Sequence, residues 1–376
     1  VVLRDAGKVA IFDGDSKEMI NIVNTGFAVH ILRSSASGRY FYSIGRDGRV
    51  TMIDLWMKKP DKVAEVKVCY DARSVDSSKY KGEKGDYLDK YLIVGGYWPP
   101  SLIIMDGQTL EPKKLVCTSS YTYDTYEYLR EARAAAIVAS HHDPLWVVNI
   151  KETGYVWLVD YTDMDNLKIT TISAERYLHD GGFDQTKRYV LMAANAKNTI
   201  SVVDTVKKKL VKNVIVGKIP HPGRGANIDH AELGRIWVTG HLGDNTLHCI
   251  STDPKNAKAW TVVKIIELPG KGGGNLFIKT HPNSPHLWVD RPLFAGDPKI
   301  CRTVYVVDKK TLKVIKTITI PEKYKGRAVH FEYNKQGTEV WLSAWSHATK
   351  LSGIIIFDDK TMKIIKEINA KWLITP

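Results

Sequence analysis

The sequence predicts an all-β fold, an eight-bladed β-propeller. Three observations carry that prediction. An apolar hairpin ending its first strand in an aspartate occurs eight times, a second strand pair recurs ahead of the hairpins, and the 376 residues divided by eight give a unit of 47 residues, the length of one four-stranded blade.

The hairpins stand in chain order as VAIFDGDSKEMINIV around Asp13, VTMIDLW around Asp54, LIIMDGQTLEPKKLV around Asp106, VWLVDYTDMDNLKIT around Asp160, ISVVDTVKKKLVKNV around Asp204, TVYVVDKKTLKVIKTI around Asp308 and IIIFDDKTMKIIKEI around Asp358. An eighth, LHCISTDPKNAKAWTVVKII near Asp253, has a longer turn. Apolar runs broken by Asp-Gly or Asp-Lys turns are hairpin signals. The preceding strand pairs are seen in GRYFYSIGRDGRV, KYLIVGGY, LWVVNIKETGY, KRYVLMAANAKNT, GRIWVTGHLGDNT, HLWVDRPLF and EVWLSAWS. The expectation is one closed domain over 1–376, because a propeller grows by adding blades and needs no boundary. The one helix candidate, TYDTYEYLREARAAAI at 122–137, reads as a loop with one helical turn leading into a strand.

Composition narrows the classes. No run of eighteen apolar residues occurs, so no membrane-spanning helix is expected. The chain begins at Val1 without a signal sequence, which reads as a processed or trimmed chain. A net charge of +13 predicts attraction for anions and acidic partners. The lysines fall on return strands such as VKKKLVKNV, where they read as a solvated edge. No basic stripe interleaved with aromatics suggests nucleic acid. Cys69, Cys117, Cys249 and Cys301 are isolated, with no C-x-x-C or C-x-x-C-H, which argues against a thiolate zinc site or a covalently attached c-type haem. They are expected to be buried free thiols.

Of twelve histidines, His141, His142, His230, His248, His286 and His347 read as ordinary packed or solvated residues. His30, His179, His221, His281 and His330 differ, since each sits where one repeat hands the chain to the next. Glycine and proline in LHDGG and PHPGRG would hold the imidazoles on stiff turns. Arg4, Arg33, Arg46, Arg73 and Arg224 fall in the same segments, and several fixed guanidiniums suit a ligand with several carboxylates.

LRDAGKVAIFDGDSK, TGFAVHILRSSASGRYFYSIGRDGRV, ARSVDSSKYKG, GGYWPPSLIIMDGQTLEPK, YLHDGGFD, GKIPHPGRGAN, HLGDNT and GGGNLFIKTHP together resemble the haem d1-binding catalytic domain of the cytochrome cd1 nitrite reductases, from Val1 to Pro376. The resemblance implies an eight-bladed propeller around haem d1. It also implies His30 as the proximal iron ligand, His179 and His221 as the catalytic distal pair, and Arg4, Arg33, Arg46, Arg73 with Ser74, and Arg224 around the cofactor carboxylates, with Tyr97 lining the pocket. The implied reaction is reduction of nitrite to nitric oxide and water, in the periplasm, by a homodimer supplied with electrons by a c-type cytochrome or a small copper protein. Two departures are expected. The family's c-type haem domain is absent, so haem c is expected on a missing domain or a partner chain, and the chain ends at WLITP, before the family's final strands. The alternatives are a haem d1 biosynthesis protein related to dihydro-haem d1 dehydrogenase, whose relatives generally lack the distal pair, and a cofactor-free binding propeller.

Overall fold

The computed structural model describes residues 1–294, 296–346 and 351–376, so His347 lies outside the described residues. The chain is all-β, of the eight-bladed propeller class, and divides into two compact units: residues 1–179 with 204–210, and 180–203 with 211–376.

In the first unit four antiparallel sheets follow one another. The first has three strands, Val2–Leu3, Lys8–Phe12 and Met19–Asn24. The next three have four: Ile31–Ser34, Tyr40–Ile44, Arg49–Asp54 and Asp61–Lys67; then Asp71–Ser77, Tyr91–Trp98, Ser101–Asp106 and Pro112–Cys117; then Ala134–Ala139, Leu145–Ile150, Tyr155–Asp160 and Lys168–Ser173. The second unit repeats the arrangement. Its sheets are Leu178–Phe183, Tyr189–Ala194, Thr199–Asp204 and Lys209–Ile215; Ala226–His230, Gly234–Thr239, Thr246–Ser251 and Val262–Glu267; Ile278–Thr280, His286–Asp290, Thr303–Asp308 and Lys313–Thr319; and Arg327–Tyr333, Glu339–Trp345, Gly353–Asp358 and Lys363–Ile368.

The repeated aspartate has a local cause. Its carboxylate accepts backbone N–H groups two or three residues on: Asp13 from Asp15 and Ser16, Asp106 from Gln108 and Thr109, Asp204 from Val206 and Lys207, Asp308 from Thr311, and Asp358 from Thr361. Such Asx turns satisfy donors the hairpin leaves unpaired. Four residues after the acid the chain turns left-handed, at Lys17, Leu110, Lys208, Leu312 and Met362. This is the type I turn with a following left-handed residue that closes longer hairpins.

Burial follows the order of strands within a sheet. Leu145–Ile150 and Tyr189–Ala194, second in their sheets, are buried at every position, whereas the outermost Lys363–Ile368 is mostly exposed. The lysine-rich return strands are therefore solvated edges. The core lies between consecutive sheets: Trp146, Tyr161, Ile104 and Leu102 form one such cluster, Tyr42, Met52, Val75 and Leu92 another, and Trp288, Phe331, Leu342 and Phe357 a third. Each large side chain contributes about 1.5–3 kcal/mol by leaving water. Because both faces of an inner strand are covered, its sequence reads as a continuous apolar run.

Two expectations are corrected. In place of a loop with one helical turn, residues 122–137 follow a hairpin, Ser120–Tyr121 paired with Tyr128–Leu129 across a turn at 123–125, before the expected strand Ala134–Ala139. The alanine-rich stretch is extended because it packs between sheets, where small side chains fit. The cysteines are free as expected, but Cys117 is exposed on an outer strand and Cys301 only partly covered, while Cys69 and Cys249 are buried.

Candidate functional site

In the first unit His30 stands immediately before the strand Ile31–Ser34, its amide donating to the Ile44 carbonyl at 2.8 Å. Arg73, on the strand Asp71–Ser77, brings its Nη1 to 3.1 Å from His30 Nε2. A guanidinium can only donate, so His30 Nε2 is the acceptor and the ring is neutral with its proton on Nδ1. Burial pushes the His30 imidazole down to about 3, and the positive charges of Arg73, Arg46, Arg4 and His179 push the same way. The ring is open to solvent on one side yet crowded by protein on the others. A neutral, lone-pair-bearing nitrogen is what a metal ligand requires.

Arg46 grips Asp71 through Nε at 2.6 Å and Nη2 at 2.5 Å, while Arg4 pairs with Asp5 at 2.7 Å in an exposed turn. Arg4, Arg46, Asp71, Phe27 and Tyr70 line a cavity of about 630 Å³. The Tyr97 ring, 7 % exposed, lies between two guanidiniums, that of Arg73 at 5.3 Å and that of Arg133 at 5.2 Å. Arg133 is itself paired with Glu152. Burial raises the Tyr97 phenol above its usual value. The Nε atoms of Arg33 and Arg73 are buried and have no hydrogen-bond partner among the described residues. Ser74 Oγ accepts the Ile137 amide at 3.0 Å, which leaves its O–H to donate.

His179 is half-buried near the start of the strand Leu178–Phe183. In the second unit His221 precedes the strand Ala226–His230 and places its Nδ1 2.8 Å from the Leu276 carbonyl oxygen, which fixes Nδ1 as the donor. Asp180 Oδ2 lies 3.5 Å from the same Nδ1 and accepts the Gly223 amide at 2.6 Å. Arg224 Nη1 donates to the Gly181 carbonyl at 3.2 Å. The glycines of LHDGG and HPGRG permit this approach: a Cβ on Gly182 would lie 2.2 Å from the Arg224 carbonyl oxygen, and one on Gly225, at φ +71°, would lie 2.0 Å from the Trp237 ring. The Phe277 ring stands edge-on to His221, with centroids 6.0 Å apart.

Within the first unit the fold brings His30, Arg4, Arg46, Arg73, Tyr97 and the His179 charge into one electrostatic group. Within the second it gathers His221 and Arg224. Asp180, Phe277, Arg133 and Glu152 were not singled out by sequence. Asp180 had a signal, a carboxylate beside a histidine and able to orient one; Arg133 and Glu152 had none, being ordinary surface types in segments read only for their secondary structure.

The whole chain, residues 1–376, matches the family model described as the cytochrome D1 heme domain. It is 50% identical over 391 residues to a nitrite reductase of Stutzerimonas stutzeri, covering all of this chain and 68% of that protein. It is 25% identical over 363 residues to a dihydro-heme d1 dehydrogenase of Pseudomonas aeruginosa, covering 96% of this chain and 66% of that one. The solved structure of a dihydro-heme d1 dehydrogenase, NirN in complex with DHE, superposes with a TM-score of 0.81 at 23% identity, over 98% of this chain and 72% of that one, a likeness of fold. With the repeat, the sheets and the match over its entire length in agreement, the chain belongs to the cytochrome D1 heme domain family.

Proposed function

We propose that this chain is the haem d1-bearing catalytic part of an NO-forming nitrite reductase, carrying out NO₂⁻ + e⁻ + 2 H⁺ → NO + H₂O. The observation that carries the reading is the 50% identity to a nitrite reductase along the full chain, with the LHDGG and HPGRG segments intact. The residues fit the cofactor. His30 offers a neutral nitrogen whose partner is a displaceable guanidinium, and the buried, unpartnered Nε atoms of Arg33 and Arg73 are donors awaiting acceptors such as carboxylates. His30 would hold the iron, and Arg4, Arg33, Arg46, Arg73, Ser74, Tyr97 and Arg224 would hold the macrocycle. When bound, haem d1 supplies the iron that takes up nitrite and passes it the electron.

The chain's own groups do the rest. The arginines raise the local concentration of an anionic substrate. His179 and His221 together match the two-proton demand, and histidine titrates where delivery near neutral pH is possible. On His221 the proton delivered is that on Nε2, because Nδ1–H is held by the Leu276 carbonyl.

Electrons reach the chain from a c-type cytochrome or small copper protein, through a haem c on another domain or chain, in a periplasmic homodimer. Among the described residues no helix is long and apolar enough to cross a membrane. The test is reconstitution with haem d1 followed by nitrite turnover with a chemical reductant and detection of nitric oxide. Cofactor uptake without nitric oxide, but with oxidation of dihydro-haem d1, would move the chain to the biosynthetic relatives.

A further inference from the structure

The Leu276 carbonyl, 2.8 Å from His221 Nδ1, is the nearer of two acceptors that favour its tautomer, with Asp180 Oδ2 at 3.5 Å. What holds that carbonyl lies deeper. Asp290 ends the strand His286–Asp290, is wholly buried, and spends both carboxylate oxygens on one segment and its neighbour. Oδ1 accepts the amides of Leu276 at 2.9 Å and Phe277 at 2.8 Å and the Asn275 side-chain amide at 3.2 Å. Oδ2 accepts the His330 amide at 3.0 Å, at a residue held at φ +61°. Asn275 also ties back to the carbonyls of Phe277 and Asp290.

The next residue secures the other end of the segment. Arg291 is fully buried and donates to the carbonyls of Pro269, Lys271, Gly272 and Gly273. A buried charge is tolerated only where its hydrogen-bonding capacity is met. Here one acid and one base are met almost wholly by the backbone of residues 269–277. Phe277 then stands edge-on to His221 at 6.0 Å and to His330 at 4.7 Å.

We propose that Asp290, with Arg291 beside it, is a positioning residue for His221: it locks the 275–277 turn so that the Leu276 carbonyl holds Nδ1–H and leaves Nε2 as the exchanging nitrogen. Without that lock the carbonyl can rotate away, Nδ1–H loses its 2.8 Å acceptor and keeps only the longer approach of Asp180 Oδ2 at 3.5 Å, and the proton divides between the two ring nitrogens. The share of rings that keep Nε2 open to the next proton would then fall. The positioning is a property of the chain alone, whereas its effect on turnover rests on the nitrite reductase reading.

The experiment compares the full chain with Asp290→Asn, whose amide keeps one acceptor but presents a donor where donors converge. In the cofactor-free chain, side-chain ¹⁵N spectra should place the His221 proton on Nδ1 in the parent and on a mixture of nitrogens in the variant. After reconstitution, kcat for nitrite with a chemical reductant should fall about tenfold, with KM and haem d1 uptake within twofold and the pH optimum moved. An unchanged His221 tautomer in a folded Asp290→Asn chain overturns the proposal. So does an altered tautomer with kcat and pH profile untouched in an active enzyme. If the variant does not fold, hydrogen exchange in the parent decides: the amides of Leu276, Phe277 and His330 should exchange slowly and together, and fast, independent exchange overturns the lock. Should the parent reduce no nitrite, the functional reading fails while the tautomer still answers the structural question.

Discussion

Replacing Arg73 with glutamine should raise the proton affinity of His30 by a predictable amount. Arg73 Nη1 lies 3.1 Å from His30 Nε2, so protonating His30 places two positive charges in contact. A pair of unit charges at about 4 Å costs roughly 4 kcal/mol at an effective dielectric of about 20 and about 1 kcal/mol in water. The His30 recess is open to solvent, and the contribution is therefore discounted to about 1–3 kcal/mol, or about one to two pKa units. Glutamine keeps a donor for Nε2 and removes only the charge. In the cofactor-free chain, His30 should stay neutral down to about 3 in the parent and titrate about one to two units higher in Arg73→Gln, still below an ordinary histidine, because burial is the larger cause. The sign for stability follows. An unfolded chain binds this proton near pH 6.5 and the folded chain does not, so stability falls as pH drops from about 6.5 toward 3. The variant should lose less over that window. NMR titration of the His30 ring and urea unfolding at pH 7.5 and 4.5 measure both effects. A His30 titration identical in the two proteins would refute the electrostatic account.

Other outcomes follow from the same geometry. His30→Ala should leave a folded chain with little or no haem d1 after reconstitution, read from the visible spectrum; full retention with an unchanged ferric spectrum contradicts the ligand assignment. His179→Ala and His221→Ala should keep haem d1 and lose about 10²–10⁴-fold in nitrite reduction, the range for general acid catalysis, provided chemistry limits the rate; parental turnover in either would remove its proton-delivery role. Having no C-x-x-C-H, the isolated chain should accept electrons readily from a small reductant and slowly from a cytochrome, the latter weakening as salt rises because the surface is basic. Fast, salt-independent cytochrome oxidation without a c-type haem present would show that no such domain is needed.

Gly182 and Gly225 illustrate how far sequence reaches into the site. LHDGG and HPGRG stand out as stiff, glycine-bearing turns around histidines, but the reason for each glycine is a carbonyl 42 residues on or a tryptophan ring that no local pattern reveals. Ser74 shows the opposite. It stands beside Arg73 and shares its resemblance, yet one lone pair of its hydroxyl oxygen is taken by a backbone amide 63 residues away.

The sequence by itself determined the blade repeat, because each hairpin is closed by its own aspartate within four residues, a local interaction that leaves a local signature. It also determined the family and the identity of the histidines and arginines, since those lie in long distinctive segments. Only the tertiary structure decided where the strand Ala134–Ala139 begins, that His30 is held neutral by burial and by Arg73, and that Asp290 secures the carbonyl orienting His221. Those outcomes depend on burial and on partners far apart in the chain. Desolvation and hydrogen bonding act through space, and a side chain's protonation and orientation are set by whatever the fold puts beside it.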